Sequence, residues 1–463
     1  MSAEMERLCS WVAGWREREL DADAAAIARV RLLDYVANVA GGSDREPVRV
    51  LAGYAARFAG AFPLPGGASA ATEWAACVYG AAAHVLECDD THQPSSTHPG
   101  APVLSAAVAL AAETGASMET VVRAAIAGYE VMCRLAATVG PRQEYARGFH
   151  PTGTAGVFGA AAAAAVVLGL DERGIQGALG IGSSMSSGSM TFLVDGAWNK
   201  ILNPGHAAAS GITAAQLAQR GFKGPADPFS PPHGYFAGHA DEDGLAAMLA
   251  GLDQDELAIH RTSIKAHGCC RYEQAPIDAI LALRAAHGIA PDDVAAVHVG
   301  VLSAGWQIVA EPEDAKRRPA STVDAQFSMP FGAAVALVRG SASPADHARD
   351  ALADPEIRRL MQRVHCHRDE QLDREYPAKW PATVDIELTD GRRVTEHVDF
   401  PKGDPENALS REELVTKLAT LAPAVAQDTR DALARFLLDE SLDAPASGLI
   451  ELLGRALGAE VAR

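Results

Sequence analysis

The stretch H-V-L-E-C-D-D-T-H-Q-P-S-S-T-H-P-G, His84 to Gly100, carries Glu87, Asp89, Asp90, Thr91, His92 and His98 between two alanine-rich apolar runs. Proline and serines after Gln93 interrupt the helical pattern, so these polar groups fall on a connection between helices. A loop held by a rigid scaffold is a common place for an active site. Capping is the structural alternative, with an aspartate ending one helix and Thr97 starting the next. It accounts for one aspartate and one threonine but not for the histidines. The stretch therefore reads as a site that gathers perturbable groups.

Outward from it, helix follows helix. Apolar residues recur at three- and four-residue spacing over Asp21 to Ala40 and Pro47 to Phe58. Ala71 to Leu86 and Ala101 to Ala112 flank the opening stretch, and Met118 to Ala137, Thr154 to Leu168, Asp171 to Met185 and His206 to Arg220 continue the series. His150 ends a polar loop, and Trp198 to Gly205 reads as a turn before the next helix. Beyond His260 the texture changes. Ala275 to His287 and Asp324 to Val338 read as helices and Val294 to Leu302 as a strand. Ala382 to Leu388 and Val394 to Phe400 flank the hairpin pair Asp390-Gly391. Val364 to Arg368 reads as a polar surface connection and Pro401 to Pro405 as a linker. Three more helices follow, Ser410 to Leu421, Asp428 to Leu438 and Gly448 to Leu457. The expected architecture is mostly α with an inserted α+β domain: helical over 1–260, α+β over 261–400, helical again over 401–463. A cleft between the two is the expected ligand site.

With 463 residues the chain can bury substantial cores, and 48% apolar with 21% charged residues is ordinary for a globular enzyme. A formal charge of −19 argues against nucleic acid and anionic membranes as partners. The seven cysteines show no disulfide or zinc spacing, which suggests a reducing cytoplasm. The N-terminus lacks a signal peptide's pattern, and no apolar run is long enough to span a bilayer. Gly180, Gly182 and Gly188 lack the Gly-Lys-Ser/Thr of a phosphate loop. A metal site from Asp90, His92 and His98 uses good ligand types at a spacing that fits no zinc motif, so no metal is expected. Cys269 and Cys270 read as small buried residues at a helix start. Lys200 and Lys265 sit on apolar loops beside helix starts, where an ammonium group would strengthen an anion site.

These segments together resemble the MmgE/PrpD family of 2-methylcitrate dehydratases and cis-aconitate decarboxylases. The resemblance is carried by D-D-T at Asp89 to Thr91, H-P-G-A-P-V-L at His98 to Leu104, G-F-H-P-T-G-T-A-G at Gly148 to Gly156, and the D-G-x-W-x-K run ending at Lys200. It continues through P-G-H-A-A-A-S-G at Pro204 to Gly211, K-x-x-x-C-C-R at Lys265 to Arg271, A-Q-F-S-M-P-F at Ala325 to Phe331, and F-P-K-G-D-P-E-N at Phe400 to Asn407. Each motif is weak; their order over nearly the whole chain is specific. The resemblance implies a large helical domain with a smaller α/β lid, a homodimer, and no metal or organic cofactor. Its active-site positions fall on Asp90, Thr91, His98, His150, Lys200 and Lys265. Departures from the decarboxylase pattern are Glu87 for aspartate, Ala209 for lysine, Cys270 for histidine and Phe331 for tyrosine. Asn203 and Gln274 stand where bacterial or other members carry histidine. Itaconate-forming decarboxylation is therefore not expected.

The chemistry expected is cofactor-free removal of a proton α to a carboxylate in a small di- or tricarboxylic acid such as 2-methylcitrate. His98 or His150 is the candidate base, Lys200, Lys265 and Arg271 bind carboxylate, and Asp90 orients a histidine or protonates a leaving hydroxyl. Thr91, Asn203, Cys270 and Tyr272 complete the expected substrate contacts. Loss of a β-hydroxyl gives a dehydratase; return of the proton to the other face gives an epimerase of a dicarboxylate. The third reading is a non-catalytic ligand-binding member of the family.

Overall fold

The computed structural model describes residues 2–254 and 256–458. Helices Ala22–Gly42, Thr72–His84, Gly100–Thr114, Met118–Val139, Gly156–Val167 and Asn199–Gln219 form the body. Alanine explains how they pack. Gly156–Val167 is buried on nearly every face, as an all-apolar helix inside a body must be. Where Asn199–Gln219 crosses Thr72–His84, a Cβ on Gly205 would lie 2.3 Å from the Cys77 carbonyl oxygen, so glycine permits the approach. Arg411–Leu421, Gln427–Leu438 and Ala446–Ala456 return to this body, and their leucines join the same apolar core.

A second core, built from residues between Phe192 and Leu388, belongs to the smaller lobe. Its four-stranded sheet runs Val364–Arg368, Val294–Val301, Ala382–Leu388, Arg393–Val398 in spatial order. The first pair is parallel and the others antiparallel. Ala382–Leu388 alternates buried and half-buried residues, the period of a strand with one face on a core. Helix Gln274–His287 covers Ala382–Leu388 and Arg393–Val398, and Met329–Arg339 packs on Val364–Arg368. The architecture is a large helical part with a smaller α/β part, as expected.

Four local expectations are corrected. Val364–Arg368 is the parallel edge strand of the sheet, not a surface connection; only Val364 is buried, so its sequence looks polar. Trp198 to Gly205 is not a turn: the helix begins at Asn199 and runs through Pro204. Pro204 is the sixth residue of that helix, so the helix continues past it at the cost of the one backbone bond to the Lys200 carbonyl. Asp324 to Val338 divides into Thr322–Gln326 and Met329–Arg339, because Ser328 caps the second helix through its Phe331 N–H. Pro401 to Pro405 is no free linker. The Ile264 N–H donates to the Gly403 carbonyl at 2.8 Å, and Gly403 takes φ 93° against that strand.

Two tethers bring the far parts of the chain to the opening stretch. Asp90–His92 pairs antiparallel with Thr262–Ile264, which sets Lys265 beside Asp89. Lys417, from a C-terminal helix, forms a buried ion pair with Asp34 and donates to the Cys88 carbonyl at 2.7 Å. Removing one partner of such a pair strands a buried charge. Lys417→Met is therefore expected to lower stability by about 3–5 kcal/mol in urea unfolding. The double substitution with Asp34→Asn should recover part of that loss; no recovery would show that the pair is not what holds the loop.

Candidate active site

Helix Thr72–His84 ends in His84, and the chain turns sharply through Glu87, whose φ is 53°. Burial then leaves the loop's polar groups to satisfy one another. His84 Nδ1 lies 2.6 Å from Asp89 Oδ2, and Lys200 Nζ lies 2.8 Å from His84 Nε2. Lys200 also contacts Glu87 Oε1, while Lys265 donates to Glu87 Oε2 at 3.2 Å and to Asp89 at 3.5 Å. Lys265 is 1% exposed, so its charge is balanced by these carboxylates and not by water. The imidazoles of His98 and His150 stand 4.9 and 5.8 Å from that of His84, centre to centre. His98, His150, Lys200 and Lys265 thus converge from four distant segments.

Hydrogen bonds fix the tautomers. His98 Nδ1 lies 2.8 Å from the Asp90 carbonyl, which can only accept. His98 is therefore protonated at Nδ1 and keeps a free lone pair on Nε2. His150 is the opposite. Its Nδ1 accepts from the Asn203 amide at 3.1 Å, and the same amide nitrogen donates to the Ser189 carbonyl at 3.3 Å. The proton of neutral His150 then sits on Nε2. His84 gives its Nδ1 proton to Asp89 and accepts from Lys200. Burial pushes His84 and His98 well below the usual imidazole range and His150 to about 4. All three are neutral at pH 7. Burial, with Lys265 nearby, also holds Lys200 well below the ordinary ammonium range.

The remaining expected residues divide. Thr91 Oγ1 is 3.2 Å from His98 Nδ1. Asp90 faces the helical body: Oδ1 accepts from the Gly100 N–H at 2.9 Å, capping the helix start, and Oδ2 accepts from the Tyr129 hydroxyl at 2.6 Å. Burial raises its carboxyl to about 7. Both oxygens are engaged, so Asp90 reaches the imidazoles through its carbonyl. Cys270 is buried, with its thiol raised to about 11 by burial. Arg271 pairs with buried Asp404, and Tyr272 stacks on Trp380 at 4.5 Å. Those two side chains brace the smaller lobe. Gln274 bonds the His267 and Cys269 backbone and shapes the turn after Lys265.

His84, Glu87 and Asp89 lie in the stretch that reads as a site, but the sequence assigns them no individual catalytic or binding role. A histidine ending an alanine helix, with acids three and five positions on, is the signal that could have exposed them. The weighed metal set of Asp90, His92 and His98 does not converge, since His92 turns to Ser95 at 2.8 Å. His84, Asp89 and His98 do offer ligand atoms within 4.8 Å of one another. The ammonium groups of Lys200 and Lys265 beside them oppose a divalent cation there. A cavity of about 230 Å³ approaches from between the lobes. It reaches Glu87 and Lys200, and Arg45 and Arg349 line it from either side.

The MmgE/PrpD N-terminal domain matches residues 6–248 and the MmgE/PrpD C-terminal domain residues 267–442. The chain belongs to the MmgE/PrpD family, a lyase-type enzyme family. A cis-aconitate decarboxylase from Aspergillus terreus is 28% identical over 371 residues, 74% of this chain and 73% of that protein. The cis-aconitate decarboxylase of Homo sapiens is 27% identical over 385 residues, 79% and 76% of the two chains. A cis-aconitate decarboxylase-like protein from Aspergillus oryzae, oryM, is 24% identical over 460 residues, 91% of each chain. Among the described residues no helix is long and apolar enough to cross a membrane.

The folded pKa of His150, about 4, lies below its unfolded value near 6.5. Protons then favour the unfolded chain, so its contribution to stability is complete above pH 6.5 and is lost as pH falls toward 4. Asp90, raised on folding, works with the opposite sign over part of that range. The direct check is an NMR titration of the histidine side chains. His150 is expected to show no protonation between pH 8 and 5; a midpoint near 6.5 would contradict the buried neutral state.

Proposed function

We propose that the protein is a cofactor-independent lyase that removes a proton α to a carboxylate of a small di- or tricarboxylic acid and expels a β-hydroxyl. The observation that carries this reading is the free Nε2 lone pair of His98, oriented by the Asp90 carbonyl, within one cluster with two buried lysines. His98 takes the proton, and the C–H electron pair becomes the new carbon–carbon double bond as the β C–O bond breaks. Lys200, a stronger acid than an ordinary ammonium group, protonates the departing hydroxide to water. Lys265 steadies the enolate-like charge on the carboxylate. His150 adds a donor at Nε2, held by Asn203. Asp89 orients His84, which positions Lys200. Arg45 and Arg349 at the cavity give a second carboxylate a partner.

Epimerisation is the second reading. Neutral His98 can take the proton and become imidazolium while the Lys200 ammonium delivers one to the opposite face and becomes a neutral amine; the reverse direction exchanges the two roles. The relatives' decarboxylation of cis-aconitate is a third outcome to measure. It is disfavoured here by Glu87, Ala209, Cys270 and Phe331.

Proton NMR in deuterated water with 2-methylcitrate, citrate, an iminodisuccinate-type acid and cis-aconitate separates them. Alkene and water loss are expected. Deuterium at the α carbon without alkene would select the epimerase, carbon dioxide from cis-aconitate the decarboxylase, and silence across the panel would sink the acid/base reading. His98→Gln is expected to lower kcat by about 10²-fold or more with KM nearly unchanged. Retention of most turnover would place the base elsewhere.

A further inference from the structure

Glu87 has no part in the steps above, yet it is the group both lysines touch. Oε1 meets Lys200, and Oε2 accepts from Lys265 at 3.2 Å. Its backbone is left-handed, with φ 53°, a conformation that a residue with a side chain keeps where its surroundings hold it. The cavity between the lobes reaches both Glu87 and Lys200. A carboxylate gripped by two ammonium groups beside an access cavity has the chemistry of a bound acid, except that it belongs to the chain.

We propose that the space between Lys200 and Lys265 is a carboxylate seat, that Glu87 fills it in the empty enzyme, and that a substrate carboxylate enters by displacing Glu87. The proposal rests on the carboxylate-lyase reading and adds the resident occupant of that site. Exchange keeps the cluster near neutrality throughout. One carboxylate replaces another, so two bare ammonium groups are never left buried. It also sets specificity. A ligand without an anionic group cannot take the place of Glu87. The apparent affinity of every acid is reduced by the fraction of protein whose seat is already filled.

The test is calorimetric titration with tricarballylate, an unreactive tricarboxylate, at fixed low salt. Glu87→Gln keeps the side-chain volume but lacks the charge to compete. It is expected to bind tricarballylate tenfold or more tightly than the wild type, with Glu87→Asp between them. Equal or weaker binding by Glu87→Gln would overturn the displacement and leave the carboxylate reading standing. Failure of every protein to bind the probe would overturn both. Should Glu87→Gln unfold too readily for calorimetry, melting of Glu87→Ala in acetate and in chloride decides. Acetate, beyond chloride, is expected to raise its melting temperature by more than it raises that of the wild type. An equal rise in both proteins would overturn the proposal.

Discussion

Charge balance in a dry place is the constraint on which the rest of the structure depends. Lys200 and Lys265 are buried, and neither could remain charged there without the carboxylates of Glu87 and Asp89. Those four groups come from three separate parts of the chain, so neutrality is reached only when the fold is assembled. A second buried pair, Asp34 with Lys417, stands behind the first and holds the Cys88 carbonyl between Glu87 and Asp89. The loop is thus clamped from both sides by charge. The chain's formal charge of −19 makes this local concentration of cations the more specific.

The smaller lobe is joined to this arrangement by backbone as well as by charge. Thr262–Ile264 is a strand of three residues, too short to be stable alone, and it exists because Asp90–His92 pairs with it. Gly403 seals the other side. A Cβ there would lie 1.7 Å from the Ile264 carbonyl oxygen, so the strand can be flanked so closely only by glycine. Asp404, the next residue, accepts from Arg271 and from Gln93 at 2.9 Å. The segment that carries Lys265 is therefore fixed relative to the histidine loop by three contacts within a few residues of the lysine itself.

Most of the body is legible because helices that bury one stripe leave a three- and four-residue pattern, whereas the fully buried Gly156–Val167 shows only as a continuous apolar run. Trp198 to Gly205 misled because Asn-Pro-Gly is turn chemistry in isolation, whereas a tight crossing over Cys77 requires Gly205 within a helix. The edge strand at Val364 misled because an edge buries few side chains. At the site, Lys200 and Lys265 stand out as cations on apolar loops and His98 and His150 as histidines on polar loops, and the structure gathers all four. Asp90 is read from the polar opening stretch and Arg271 from the run after Lys265, yet their side chains are engaged by Gly100 with Tyr129 and by Asp404. Periodicity and motif order do not say which buried polar group will be used up by a neighbour. The same limit leaves His84, Glu87 and Asp89 without individual roles in the sequence, although all three lie in the stretch that reads as a site.

The difference between His98 and His150 shows how the backbone can decide chemistry. Both are buried and both are neutral, so desolvation alone would leave them equivalent. One imidazole meets a main-chain carbonyl and the other an amide N–H, and the two therefore present opposite atoms to the cluster: a lone pair from His98, a proton from His150. The carbonyl belongs to Asp90, whose side chain is pinned by Gly100 and Tyr129, so that residue's influence on His98 passes through its peptide group. The amide belongs to Asn203, at a position where the family resemblance implies histidine in bacterial members. A histidine there could supply or withdraw a proton at that position, whereas an amide nitrogen only donates. Asn203 thus favours one tautomer of His150, and with it a fixed division between the group that accepts a proton and the group that offers one.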